Sequence, residues 1–345
     1  MIVVVDFTGK AEDYNLGLLR GLLKTSLSSK VRLVSTQSYS VLKYINRSHF
    51  RNLFMPVVIL LFYLRWSVSS KVQTIHFQWL PFEAIKADLI WLKLLQLFGK
   101  KIVLTVHNIV PHDTGSSYKE YNTKIYKAVD NLIVHDTSAA SILIREFKVP
   151  KGKISVVDLG VDFPDLPDFH WNLRQNRVVI FGHIKPYKGI SEFIDKYGNF
   201  LLLKGIGISV VGRVDPIVRQ QFNLLDKDLL KRLDFQDRFI DDSELSEILF
   251  NSRYAVFPYK HITGSGALLR GIAHGCLPLG SKLKLFESYN SEVGFPLLFE
   301  NKSELSEHLK KTLEEQENIV NLIYEKAVRR FDWGLIAKKY ELIYG

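Results

Sequence analysis

At 345 residues and 47% hydrophobic content, the chain holds enough apolar material for two domains with their own cores, which excludes general disorder. A single cysteine, Cys276, excludes an internal disulfide. The net charge of +10 is uneven: residues 1–153 carry 21 Lys/Arg against 10 Asp/Glu, net +11, and residues 154–345 carry 25 against 26, net −1. A basic half fits nucleic acid, an anionic membrane or a phosphorylated substrate. No recognition-helix, zinc-finger or RNP-like motif accompanies it, so no nucleic-acid partner is expected.

The start, Met1-Ile2-Val3-Val4-Val5-Asp6, lacks the charged and long apolar regions of a signal peptide and reads as a first strand; a cytoplasmic protein is expected. Short apolar runs then alternate with helical patterns. Strands are predicted near Ile2–Phe7, Val31–Ser35, Thr74–Phe77, Ile102–His107, Leu132–His135 and Ile154–Val157. Leu159–Arg177 breaks into Gly, Pro and polar residues and reads as an interdomain linker. The alternation restarts with Val178–Phe181, Gly207–Gly212, Phe235–Phe239, Ala255–Phe257, Cys276–Leu279 and Leu297–Phe299. This pattern predicts two doubly wound, Rossmann-like α/β domains. The expected division is 1–165, 166–330 and a C-terminal helix, 331–345, crossing back to the domain junction after a charged helix from Glu304 to Arg330.

Leu53–Leu64 is apolar and flanked by Arg47, Arg51, Arg65 and Lys71. A spanning helix needs about 20 apolar residues, so this stretch is too short to cross a bilayer. It reads either as a core helix or as one lying in the headgroup region of an anionic membrane, and Leu89–Lys101 has a similar make-up. The two roles are compatible on different faces.

Chemistry is concentrated at strand ends. Lys101–Thr105 runs into His107-Asn108-Ile109-Val110-Pro111-His112-Asp113, which sets His107, His112 and Asp113 at the carboxyl end of a parallel strand, where ligands bind in such sheets. Asp6-Phe7-Thr8-Gly9-Lys10 forms a turn after the first strand without phosphate-loop spacing, so Thr8 and Gly9 are expected to contact an acceptor. Trp79 ends the third strand and is suited either to stacking on a sugar ring or to filling the core. In the second half, Phe181-Gly182-His183-Ile184-Lys185-Pro186-Tyr187-Lys188-Gly189 is a strand, a basic loop and a helix start, suited to an anion with several oxygens. Pro258-Tyr259-Lys260-His261-Ile262-Thr263-Gly264-Ser265-Gly266 again passes from strand to helix through small residues. Two such loops point to a nucleotide diphosphate, held by Gly182, His183, Lys188, Thr263, Ser265 and Gly266, with Arg213 as an additional cation. Asp226-Lys227-Asp228 lies in a charged helical stretch and reads as solvated surface; no metal and no cofactor are expected.

Taken in order, the His107–Asp113, Phe181–Gly189 and Pro258–Leu269 motifs resemble those of GT-B glycosyltransferases, broadly glycosyltransferase family 4 and more closely bacterial exopolysaccharide-assembly transferases such as the xanthan β-mannosyltransferase. The resemblance covers nearly the whole chain. It implies two Rossmann-like domains facing a cleft, a sugar nucleotide held by the C-terminal one, an acceptor held by the N-terminal one, and transfer without a metal. On it, Lys188 contacts the donor diphosphate, His107 lies near the transferred sugar, and His183 replaces a common arginine. The family's usual pair of glutamates falls on Ile262 and Arg270, so both carboxylates are missing. Asp113, or else His112, is the expected base of an inverting reaction; a retaining one would rely on the leaving phosphate. The implied partners are a nucleotide diphosphate sugar, a lipid-linked saccharide acceptor of exopolysaccharide, capsule or O-antigen assembly, and the anionic inner face of the cell membrane. A catalytically silent binding module and a sugar-nucleotide epimerase are the alternatives.

Overall fold

The computed structural model describes residues 1–35, 48–107, 109, 116–164, 171–262 and 264–345. They divide into one unit of Met1–Gly160 with Trp333–Gly345 and a second of Val161–Asp332.

In the first unit, β1 (Ile2–Asp6), α1 (Glu12–Leu22), β2 (Val31–Ser35), α2 (Ser48–Val68), β3 (Thr74–Phe77), α3 (Asp88–Leu97), β4 (Lys101–Thr105), α4 (Ser116–Ala128), β5 (Asn131–Val134), α5 (Thr137–Phe147) and β6 (Ile154–Val156) follow in order. The strands pair in parallel as β2-β1-β3-β4-β5-β6. Ile-Val-Val-Val in β1 and Thr-Ile-His-Phe in β3 are buried throughout, as strands covered on both faces must be.

The second unit runs β7 (Gln175–Phe181), α6 (Ile190–Leu203), β8 (Gly207–Val211), α7 (Pro216–Asn223), α8 (Lys227–Leu230), β9 (Asp234–Gln236), α9 (Asp242–Phe250), β10 (Ser252–Phe257), α10 (Gly266–Ala273), β11 (Leu277–Ser281), α11 (Lys284–Val293), β12 (Leu297–Phe299), α12 (Lys302–Leu309) and α13 (Leu313–Phe331). Its parallel sheet has the order β12-β11-β10-β7-β8-β9. Each strand expected from sequence is present, with ends shifted by up to a few residues.

Strand order reverses between β1 and β3 in the first sheet, and between β7 and β10 in the second. These switch points open crevices at the carboxyl ends of the flanking strands, which is where the fold favours ligands.

Two boundaries differ from the sequence reading. The stretch expected to be a linker contains Trp171 and Arg174, both buried, and β7 already starts at Gln175, so the passage between units falls at Gly160–Val161. The single charged helix expected over Glu304–Arg330 is two helices. Thr312 caps the second in a capping box with Glu315, satisfying the first free N–H groups of α13 and restarting the helix there.

The last helix, α14 (Trp333–Tyr344), belongs to the first unit. Its approach is set by small residues: a Cβ on Gly17 would lie 2.0 Å from Trp333 Nε1, one on Gly21 2.4 Å from Trp333 O, and one on Gly160 2.3 Å from the Trp333 ring. Ile336, Ala337, Tyr340 and Tyr344 are then buried with Leu18 and Leu22 of α1 in one cluster.

α2 packs one face of the apolar stretch into the core. Ile59, Tyr63 and Trp66 are buried against Phe77 and Ile75 of the sheet, and Leu92 and Leu95 of α3 join the same core. The opposite faces stay exposed: Val57 52%, Leu61 61%, Leu64 53% and Val68 76% on α2, Ile90 71% and Leu97 81% on α3. Positions 57, 61, 64 and 68 follow the helical period, so they form one apolar stripe pointing away from the sheet. No helix among the described residues is long and apolar enough to cross a membrane.

Candidate functional site

In the second unit the basic loop and the small-residue loop meet at the switch point. Gly182, at φ +84°, ends β7, and Gly212, at φ +134°, ends β8 so closely that a Cβ there would lie 2.1 Å from Gly182 O. Glycine is required at Gly212 by both backbone and space. Ile184 N donates to Arg213 O (2.8 Å) and Asp215 N to Ile184 O (2.9 Å), fixing the loops side by side. A single 3₁₀ turn, Pro186–Lys188, then delivers Lys188 inward before Gly189. Gly189 is held against the other loop, with room for no Cβ beside Pro258 O (2.4 Å), and Lys260 N donates to Tyr187 O at 2.8 Å.

The result is a buried ammonium. Lys188 Nζ donates to Phe181 O (3.1 Å) and lies 5.7 Å over the Tyr259 ring. Burial, with a smaller push from Lys185, lowers its pKa to about 8. Phe181 O is its only hydrogen-bond partner among the described residues, so donors remain for a ligand oxygen. Beside it, buried Ser265 caps α10 by accepting from Leu268 N (3.0 Å), while Gly266 is exposed with open space around its Cβ position. The first turn of α10 therefore presents N–H groups of the kind that bind phosphate.

The other predicted cations are placed less deeply. His183 is exposed; partial desolvation first, then Lys185 and Lys188, lower its pKa, so it is neutral at pH 7. Arg213 is exposed, its guanidinium 5.5 Å over the Phe239 ring. Arg270, standing where a family glutamate is expected, pairs with Asp242 at 2.8 Å. Thr263 lies outside the described residues.

In the first unit, Asp6 builds the turn after β1. Its fully buried carboxylate accepts from Thr8 N (3.0 Å), Thr8 Oγ1 (2.7 Å), Gly9 N (2.9 Å), Ala11 N (3.0 Å) and Asn15 Nδ2 (3.1 Å). Thr8 and Gly9 thus sit at the switch point, with the Thr8 hydroxyl proton directed into Asp6. Lys10 reaches back, its ammonium 4.8 Å over the Trp79 ring.

Trp79 stacks on His107 with ring centres 5.4 Å apart and planes 16° from parallel. Tyr14 meets the same imidazole edge-on at 5.1 Å, and His135 lies 5.4 Å away. His107 Nε2 is 2.9 Å from Gln78 Oε1. Burial, then His135 and His76, hold the His107 pKa well below its ordinary value, so this ring is also neutral at pH 7. Buried Trp79 Nε1 and His135 Nε2 have no hydrogen-bond partner among the described residues. His112 and Asp113 lie outside the described residues.

Several contributors escape a sequence reading. Gln78 was visible as a polar residue two after His76, hence on the same strand face, but nothing in the sequence says which imidazole it meets. Tyr14, from α1, is placed by tertiary packing alone. Asp226 and Asp228 are exposed; the first caps α8 and the second pairs with Lys231 at 2.9 Å. Among the described residues no group of three or more His, Cys, Asp or Glu is placed to hold a metal ion.

No protein-family model matches the chain, and no curated protein matches it by sequence at a significant level. Solved structures do match. HepE of Anabaena, in complex with UDP-glucose, superposes with a TM-score of 0.71 at 15% identity, covering 99% of each chain. Sucrose-phosphate synthase from Thermosynechococcus elongatus gives 0.70 at 16% identity, covering 99% of this chain and 98% of its own. A glycosyltransferase from Rickettsia africae gives 0.66 at 15%, covering 99% and 97%. With its two parallel six-stranded sheets, the chain has the GT-B fold.

Proposed function

We propose that this protein is a glycosyltransferase that moves a hexose from a UDP- or GDP-linked sugar to a lipid-linked saccharide at an anionic membrane surface, in the assembly of a bacterial exopolysaccharide, capsule or O-antigen. The observation that carries the reading is Lys188. A lysine ammonium buried beside the glycine-rich start of α10, with one backbone acceptor and an aromatic floor, is set to receive an anion. The Anabaena structure of the same fold holds UDP-glucose, which supports a nucleotide sugar as that anion.

In this scheme the bond from the anomeric carbon to the β-phosphate oxygen breaks, and the electron pair leaves with the nucleotide diphosphate. Lys188 and the first N–H groups of α10 stabilise the charge growing on that phosphate. Neutral His183 adds at most a hydrogen bond, and Arg213, over Phe239, is available to the nucleotide. The first unit supplies the saccharide side, with Trp79 as a stacking surface and His107 as the group that orients a sugar hydroxyl; Thr8 and Gly9 complete the acceptor contacts. Asp113, with His112 behind it, would take the acceptor proton in an inverting reaction, whereas a retaining one would hand it to the leaving phosphate. The exposed α2 stripe, flanked by Arg65 and Lys71, supports a lipid-linked rather than a freely dissolved acceptor.

The test is a donor screen with UDP- and GDP-sugars against lipid-extract acceptors, with product configuration read by NMR. Transfer from one donor, and a loss of about 100-fold or more on Lys188→Ala, is the expected result. Undiminished turnover in Lys188→Ala would remove the basis of the proposal, and nucleotide binding without transfer to any acceptor would favour a silent binding module.

A further inference from the structure

Three histidines lie at or just past the carboxyl ends of adjacent strands in the first unit, and the hydrogen bonds around two of them decide which nitrogen of His107 is free. His76 is fully buried. Its Nδ1 lies 2.6 Å from Tyr344 Oη of α14, and its Nε2 lies 2.7 Å from Thr105 Oγ1 and 3.5 Å from Gln78 Nε2. Burial lowers its pKa to about 3, so it carries a single proton at neutral pH.

That single proton propagates. With it on Nδ1, His76 donates to Tyr344, and its Nε2 accepts from the Thr105 hydroxyl and the Gln78 amide. Gln78 then turns its oxygen to His107, 2.9 Å away, and His107 Nε2 must be the donor. With the proton on His76 Nε2 instead, that proton would go to the Thr105 hydroxyl and the Gln78 amide N–H would lose its acceptor; reversal of the amide would then place the His107 proton on Nδ1. The arrangement at Gln78 is the first of these. Gln78 is itself fixed: it is buried, and its backbone N–H donates to Val5 O at 2.9 Å, extending the β1–β3 ladder by one residue.

We infer that Gln78 is a positioning residue that holds His107 as the Nε2–H tautomer, so that its Nδ1 lone pair accepts a hydrogen bond from a saccharide hydroxyl. Met or Leu at this position would leave the Nε2 proton without its acceptor and let the ring populate both tautomers. The hydroxyl-accepting role rests on the saccharide side assigned to this unit above; the tautomer does not.

The experiment uses the whole chain with histidine ring nitrogens labelled with ¹⁵N, first without any substrate. The expected wild-type spectrum shows His107 protonated on Nε2, with a slowly exchanging proton that exchanges rapidly in Gln78→Met. A wild-type His107 protonated on Nδ1, or a His107 signal unchanged by Gln78→Met, overturns the inference. Kinetics supply the second readout. Gln78→Met should lower kcat about 10- to 100-fold with donor KM little changed, and Gln78→Glu, which keeps an acceptor, should restore much of it.

Glu at this position also brings a negative charge to the ring and raises its pKa, so the acidic limb of the rate profile moves to higher pH. The groups facing His107 from the elements around it are Tyr14 of α1, His76 of β3 and His135 after β5, with Lys10 over Trp79; none of them is altered by the substitution. Equal losses in both variants, with KM rising and thermal stability falling together, would mean Gln78 only supports the fold and would overturn the positioning role. If the tautomer is as expected but wild type transfers no sugar from any donor, the proposed function fails and the positioning of His107 stands.

Discussion

Lys188 is buried with a backbone carbonyl and an aromatic ring but no carboxylate, so its protonation would report the arrival of an anion. The Lys188 pKa of about 8 lies below the ordinary lysine value near 10.4. Between those two pH values the unfolded chain keeps a proton that the folded chain has released, so stability should rise with pH across that window. A bound diphosphate reverses the balance by favouring the ammonium. Above about pH 8, UDP binding must therefore take up a proton, and affinity should fall about tenfold per pH unit. Calorimetry at pH 9 in two buffers of different ionisation enthalpy should find close to one proton taken up by wild type and none by Lys188→Met. The same variant should unfold at pH 7 no sooner than wild type, because an apolar side chain of similar length is easier to bury than a charge. Equal proton uptake in both proteins would show that the ammonium does not meet the ligand. Lys188 was legible in the sequence because a strand, a glycine and a basic loop before a helix start are local signals. Tyr259 was named in the motif but not assigned a role, and its position under the ammonium comes from the closure of two loops some 70 residues apart in sequence, fixed by Gly189 against Pro258 O. Asp6 was read as part of a turn; that it anchors five donors is visible only once Asn15 of α1 is folded over it.

Elements here carry two obligations at once. In α2, the apolar composition alone could not divide core from surface, since every residue of Met55–Leu64 is hydrophobic or proline; the fold divides it by sending Ile59, Tyr63 and Trp66 inward and leaving Val57, Leu61, Leu64 and Val68 outside. The C-terminal helix was readable from the sequence, but the seat of α14 depended on glycines in α1 and after β6 whose meaning appears only against Trp333. A methyl group at Gly17 would lie inside van der Waals contact with Trp333 Nε1, so Trp333 must move or α14 must lift. Gly17→Ala should lower stability by about 2 kcal/mol or more, measured by urea unfolding, and shift Trp333 fluorescence to longer wavelength. A variant as stable as wild type with unchanged fluorescence would mean the helices tolerate a wider separation than their packing indicates.

At the scale of the whole molecule, two parallel six-stranded sheets of different strand order carry different chemistry because their switch points end in different residues: Asp6, Gln78 and Trp79 in one, Gly182, Lys188 and Ser265 in the other. The alternation of strands and helices made both sheets readable, since parallel strands buried on two faces stay apolar along their length. Charge adds an asymmetry that folding does not need. Residues 1–153 hold a net +11 while the remainder is nearly neutral, and the same stretch contains the exposed apolar faces of α2 and α3, which cover one side of the first sheet. Attraction of lysines and arginines to anionic lipid weakens as the Debye length contracts from about 10 Å at 0.1 M salt to about 3 Å at 1 M, whereas insertion of Leu61 and Leu64 does not depend on salt in that way. Vesicle flotation should therefore show binding to anionic but not zwitterionic vesicles, falling as salt rises. Leu61→Glu with Leu64→Glu should abolish binding even at low salt while leaving the unfolding midpoint nearly unchanged, because both side chains face water. Trp66→Ala, on the buried face of the same helix, should instead lower stability by about 3–5 kcal/mol. Flotation that ignores lipid charge, salt and the paired glutamates alike would remove the membrane from the proposal and leave a soluble acceptor as the remaining reading of the first unit.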